Sequence, residues 1–320
     1  MKELIFALLI LSSLLQSSPA RTQTNYSGLL DFSYCFSING YGSEAVFGKP
    51  NSVFLDERTH YLYIADTKAG EVNVFTTLGV PVSQFGAGNG LKAPYGVAVD
   101  SKKNLYVSED DGGPLKIIDA KGETSPLEIP SDDPKIAARP GRITVDSEDN
   151  LYVVDRASNR IAILDKDRKL KFRVGSYGRK RGQFRELQDV AVDRQGRIYA
   201  LDSSGTFPVQ VFDKKGKYLF RMGFQGDGTE DISLASGICI DRNDQVWIVD
   251  RGQHALKVFD RSGIFLRKFG SYGTGNGSLF YPIDAKTDNA GRIYVLEIGG
   301  ERLQVFSLVH PNEPFVPAGL

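Results

Sequence analysis

The chain has 320 residues, 41% of them hydrophobic and 24% charged, which supports a large apolar core and excludes a disordered or fibrous polymer. Lys+Arg and Asp+Glu are equal at 39 each, so global charge steers the protein toward neither nucleic acid nor an anionic membrane surface. With 34 glycines and 11% aromatics, short strands and tight turns are favoured over helices.

In chain order, residues 1–20 come first, "MKELIFALLILSSLLQSSPA". Lys2, an apolar stretch from Leu4 to Leu15 and small residues up to Ala20 predict a secretory signal cleaved after Ala20. The apolar run is short for a bilayer span, and no cysteine follows the cut to carry a lipid anchor. An exported protein is therefore expected, periplasmic or extracellular, without stable membrane insertion. Residues 21–29 read as a linker. Residues 30–38, "LDFSYCFSI", read as a strand with no local partner.

Six copies of one unit follow. They open as "NSVFLDERTHYLYIAD", "YGVAVDSKKNLYVSED", "GRITVDSEDNLYVVD", "QDVAVDRQGRIYALD", "SGICIDRNDQVWIVD" and "IDAKTDNAGRIYVLE". Anchoring aspartates Asp56, Asp100, Asp146, Asp193, Asp241 and Asp288 recur every 44 to 48 residues. Each unit has an apolar strand, a turn rich in Asp, Asn and Gly, a second strand with an early aromatic, a polar loop and a third strand such as "RIAILD". A fourth strand follows, such as "KLKFRVG". Four short strands per period of this length are the signature of a propeller blade. The sixth copy stops after "RLQVFSL", so residues 30–38 are expected to supply its outer strand and close the ring. The fold predicted is an all-β, six-bladed β-propeller over residues 30–308. Residues 309–320 form a proline-containing tail.

The segments "RPGRITVDSEDNLYVVDRASNRIAILD" and "ASGICIDRNDQVWIVDRGQHALKVFDRSGIFLRKFG" resemble NHL repeats, and the resemblance extends over nearly all of residues 30–308. It implies the propeller fold but no single activity: NHL propellers include protein-binding and RNA-binding modules, a peptide-amidating lyase and a kinase ectodomain. Such propellers bind ligands at the ends of the central channel, mostly on the face built by the inter-blade connectors and the loops between second and third strands.

On that face "SYGRKRGQFREL" stands out. Its siblings are glycine-rich, whereas here Arg179, Lys180 and Arg181 replace small residues and Arg185 follows. Together with Arg156 and Arg160 from a neighbouring loop, these form the candidate binding site, for an acidic protein partner or an anionic ligand. Blade two is of opposite sign, with Glu109, Asp110, Asp111, Asp119, Glu123, Glu128, Asp132 and Asp133 against Lys116 and Lys121, so the face is expected to be dipolar and to orient a protein partner. Nucleic acid is not expected, since these loops lack interleaved aromatics. A monomeric, non-catalytic scaffold is the expected function.

The rival expectation is a metal-dependent hydrolase or lyase at the channel. The lyase relatives bind zinc through histidines, but His60, His254 and His310 fall in a turn on the opposite face, an upper loop and the tail. No cofactor is expected; calcium in the channel is the exception held open, because Asp66, Asp110, Asp155, Asp202, Asp250 and Glu297 recur at the ends of the second strands. Their simpler expected role is to cap backbone amides of the neighbouring connector, once per blade. Arg160, His254 and Arg302 occupy the family's "N-R" position and are expected to orient one blade against the next. Cys35, on an outermost strand, and Cys239, on an innermost one, are expected to be buried free thiols.

Overall fold

The computed structural model describes residues 31–42, 46–131 and 136–309. The expected signal, the linker over 21–29, the tail from residue 310 with its histidine, and Asp132 and Asp133 lie outside the described residues. The described strands form six four-stranded antiparallel sheets. Strand β1 (Asp31–Ile38) comes first. Blade one follows as β2 (Pro50–Asp56), β3 (Tyr61–Asp66), β4 (Glu71–Thr76) and β5 (Pro81–Phe85). Blade two holds β6 (Pro94–Val99), β7 (Leu105–Glu109), β8 (Leu115–Ile118) and β9 (Thr124–Leu127). Blade three holds β10 (Pro140–Val145), β11 (Leu151–Asp155), β12 (Arg160–Leu164) and β13 (Leu170–Val174). Blade four holds β14 (Leu187–Val192), β15 (Ile198–Asp202), β16 (Val209–Phe212) and β17 (Tyr218–Met222). Blade five holds β18 (Ala235–Ile240), β19 (Val246–Asp250), β20 (Ala255–Phe259) and β21 (Phe265–Phe269). Blade six holds β22 (Pro282–Thr287), β23 (Arg292–Glu297) and β24 (Arg302–Val309), with β1 as its fourth strand.

The expected closure is present: β1 pairs antiparallel with β24, from Asp31 opposite Val309 to Ile38 opposite Leu303. The innermost strands β2, β6, β10, β14, β18 and β22 neighbour one another in turn, and β22 returns to β2. Second strands such as "LYVVD" and "VWIVD" are buried along their whole length, which explains their continuous apolar character, whereas outer strands such as β17 alternate. Apolar clusters lie between successive blades; Tyr199, Leu201 and Val209 of blade four, for example, pack against Ile238, Val246 and Ile248 of blade five. Trp247, only 1% exposed, packs the same way between blades five and six.

The anchoring aspartate explains the repeat. In blade three Asp146 Oδ1 accepts from the amides of Glu148 and Asn150 (both 2.9 Å), and Oδ2 accepts from Tyr152 Oη at 3.0 Å. The aromatic six residues on repeats this bond at Tyr106, Tyr199, Trp247 and Tyr294. One carboxylate thus sets the hairpin turn and ties the second strand to it. Gly96 marks a close approach between blades: a Cβ there would lie 2.3 Å from the Gly141 carbonyl.

Candidate functional site

The "RKRGQFR" stretch lies in the connector between β13 and β14, and the structure fixes it from three sides. Phe184 is fully buried, and a bridge between Tyr177 and Phe184 folds the connector back on itself. Gln210 on β16 accepts from the Gly182 amide (2.8 Å) and donates to the Gln183 carbonyl (2.7 Å). Asp202, at the end of β15, accepts from the amides of Arg185 (2.9 Å) and Glu186 (3.0 Å). The equivalent of Gln210 does the same in blade six, where Gln304 bonds Gly277 and Ser278; in blade five the buried Lys257 donates to Thr229.

A cleft of about 270 Å³ opens between this connector, the β15–β16 loop and β17. Arg179, Lys180, Arg181 and Arg185 line it from one side and Arg221 from the other; all five are exposed. Among the described residues none of these five cations pairs with a carboxylate. Asp202 also lines the cleft, but its oxygens already accept backbone amides. The Arg221 guanidinium stands 3.3 Å over the Phe207 ring, and Arg181 lies 5.9 Å from the Tyr218 ring centroid.

The six residues singled out in the sequence are therefore divided. Arg179, Lys180, Arg181 and Arg185 share one cleft. Arg156 lies elsewhere, 4.2 Å over the Tyr95 ring and 3.0 Å from Asp110 Oδ1, so the two blades of opposite sign partly neutralise each other there. Arg185 also reaches the shallow depression that Arg156 lines. Arg160 Nε donates to Asp155 at 3.3 Å. Arg302 and His254 have the expected tying role: Arg302 Nη2 donates to the Gly275 and Ser278 carbonyls, and His254 Nδ1 accepts from the Tyr281 amide.

The second-strand carboxylates cap connector amides, as the recurrence suggests. Asp66 holds Gly48 and Lys49, Asp155 holds Arg139, and Asp250 holds Ser233 and Leu234. In blade two the cap is Glu109, which holds Lys92 and Ala93, and not Asp110; β7 ends at Glu109, opposite Pro94, so the register gives the position to the first acid of the pair. Among the described residues no three His, Cys, Asp or Glu side chains converge as a metal would need. Both cysteines are free; Cys239 is buried, but Cys35 is half-buried, like its neighbours Tyr34 and Phe36 on the outermost strand, where it is the extra residue of a bulge.

The central channel holds a network that the repeat pattern did not expose. Four residues before each anchoring aspartate the innermost strands carry Ser52, Gly96, Arg142, Asp189, Gly237 and Asp284. Arg142, 4% exposed, reaches from blade three toward blade six: Nη2 donates to the Ile283 carbonyl at 3.0 Å, and Nη1 lies 2.6 Å from Asp284 and 3.5 Å from Asp189. Lys286 adds a second cation 2.9 Å from Asp284. Burial pushes the Asp189 carboxyl above its ordinary range, with Arg142 opposing. For Arg142 and Lys286 burial works against the charge, yet the facing carboxylates outweigh it and hold both above their ordinary values. Arg142 lines both a cavity of about 290 Å³, which also takes in connector residues such as Lys49 and Glu186, and one of about 200 Å³ among inner-strand residues such as Val192 and Ile240, so the network stands between the two. A charged residue at the position where other copies have Gly or Ser was the signal available in the sequence.

A family model described as a 6-bladed beta-propeller matches residues 195–256. Protein brain tumor of Drosophila melanogaster is 30% identical over 112 residues, which is 35% of this chain; the match spans only 10% of that protein's length. Among solved structures, a gluconolactonase from Xanthomonas campestris superposes with a TM-score of 0.60 at 17% identity, over 81% of this chain and 86% of that one. Virginiamycin B lyase from Staphylococcus aureus gives 0.61 at 14%, over 86% and 85%. A protein of unknown function from Bacteroides thetaiotaomicron gives 0.66 at 14%, over 86% and 75%. At these identities the structural likenesses speak for the fold, and with the sequence match they establish that the chain is a six-bladed β-propeller.

Proposed function

We propose that this chain is an exported, NHL-type, non-catalytic binding scaffold that recognises an acidic protein or other anionic ligand at the cleft beside the β13–β14 connector. The observation that supports this reading is the set of five cations around one cleft, none paired with a carboxylate among the described residues. Like charges gathered this way repel, and an anionic occupant relieves the repulsion. The pinned connector holds its backbone in one shape before the partner arrives, so little ordering is left to oppose binding. Association should be fast and should weaken with added salt.

The test compares the wild type with an Arg179→Ser/Lys180→Ser/Arg181→Ser variant. Partners captured from the exported fraction would be purified and titrated against both, with circular dichroism as the check on folding. Salt-sensitive binding by the wild type and its loss in the folded variant support the reading; equal binding by both overturns it. The hydrolase or lyase alternative draws on fold-level likeness to a gluconolactonase and a lyase. Metal bound in stoichiometric amount to the purified protein would favour it.

A further inference from the structure

The walls of the cleft say more about its occupant than the charge does, and we infer that it takes a sugar phosphate or sugar sulfate. This rests on the reading of the cleft as an anion site and narrows it to a tetrahedral oxyanion carried on a saccharide ring.

The cationic side is almost all arginine. Of the five cations only Lys180 is a point charge; the others present planar forks that match two oxygens of one phosphate or sulfate. Arg221 is backed by the Phe207 ring at 3.3 Å, which leaves its N–H edges for a ligand while one face is covered. Several cations around a single small cleft exceed what one carboxylate would neutralise. They suit a dianion, or an anion repeated on successive units.

The rest of the lining suits a ring bearing hydroxyls. Tyr218 and Phe207 are both half-buried, and with one Phe207 face covered by Arg221, the Tyr218 ring and the remaining Phe207 surface give apolar area on which the C–H face of a sugar can lie. Thr206 and Gln225 also line the cleft, and among the described residues neither side chain has a hydrogen-bond partner. They are free to meet sugar hydroxyls. At about 270 Å³ the cleft lies just below the roughly 300 Å³ at which drug-sized pockets begin, so one ring with its charged substituent fills it. An acidic peptide would use the cations but would leave the aromatic faces and the two polar side chains without a counterpart.

Isothermal titration tests this with glucose 6-phosphate, glucose 6-sulfate, galacturonate, inorganic phosphate and a hexaglutamate peptide. Glucose 6-phosphate or 6-sulfate should bind at least about tenfold more tightly than galacturonate or the peptide, and the better of the two identifies the ester. Arg221→Gln should weaken either by about tenfold. Phe207→Leu keeps every charge but removes both a sugar-facing ring and the backing of Arg221, so it should weaken the sugar esters severalfold more than it weakens inorganic phosphate; circular dichroism confirms that both variants fold. Tighter binding of the peptide or of galacturonate, lost in Arg221→Gln, overturns this inference but leaves the anion site standing. No binding of any probe by the wild type overturns both.

Discussion

Replacing Arg142 with methionine removes a positive charge from between two buried carboxylates. Arg142 is 4% exposed, and Asp189 and Asp284 are similarly enclosed, so its removal leaves the two carboxylates without their shared guanidinium partner. Asp189, Asp284 and Lys286 remain, with a net charge of minus one in the centre of the ring. Breaking one partner out of a buried ionic network costs about 3–5 kcal/mol. Against a total of about 5–15 kcal/mol for a folded domain, that is about a fifth of the stability or more. The loss should also depend on pH. Burial already holds the Asp189 carboxyl above its ordinary range, with Arg142 opposing, and without Arg142 it moves further up. A carboxyl raised in the folded state gives stability that is fully present below the unfolded value of about 3.9 and is lost as pH rises through the folded value. The deficit of the variant should therefore be small near pH 4 and largest at pH 8, read as the urea midpoint at each pH. A double variant, Arg142→Met with Asp189→Asn, leaves Asp284 and Lys286 balanced and keeps an acceptor toward the Val190 or Ile238 amide. It should recover about 1–3 kcal/mol at pH 8. A deficit equal at all pH values, with no recovery by Asp189→Asn, would assign the loss to packing and refute the argument from charge.

Gln210→Ala should free the Gly182 amide and the Gln183 carbonyl, costing about 1–3 kcal/mol and accelerating hydrogen exchange at Gly182 while β15 stays protected. Unchanged exchange would mean that the connector is held without it. In a thiol-reagent assay at pH 8, Cys35 should react before Cys239, whose thiol is pushed up to about 12 by burial; both should react at once only after unfolding.

The fold was legible because its determinants are local. An aspartate, the turn that follows and an aromatic six residues on make a self-contained hairpin, so the same letters recur wherever the hairpin does. The closing strand was legible for the complementary reason, as a strand without companions facing a blade that lacked one. The basic connector was also visible, since four of its residues in a short stretch must share a neighbourhood. What the sequence hid are pairings between blades. Arg156 reads as a loop cation until Asp110, 46 residues earlier, is seen beside it. Arg142 reads as a polar strand residue until ring closure brings Asp284, 142 residues later, within contact distance. The confusion of Asp110 with Glu109 is smaller and of another kind: two adjacent acids end the second strand, and only the pairing of Glu109 with Pro94 decides which one turns toward the connector.

The pairing of β1 with β24 carries a consequence in time. Roughly 265 residues separate Ile38 from its partner Leu303. At chain elongation rates of about 5–20 residues per second, the first strand waits on the order of ten seconds to a minute for the last. During that interval "DFSYCFSI" is an aromatic-rich strand with an unpaired edge, the kind of segment that pairs with whatever edge it meets. Blade six is likewise open throughout, so the two sticky edges of an incomplete ring belong to the same unfinished sheet. A chain delivered from its N-terminus must keep that strand apart from other copies until the C-terminal blade arrives, and a stalled or truncated chain would expose it permanently. The contact that seals the finished propeller is thus also the one through which unfinished chains would join.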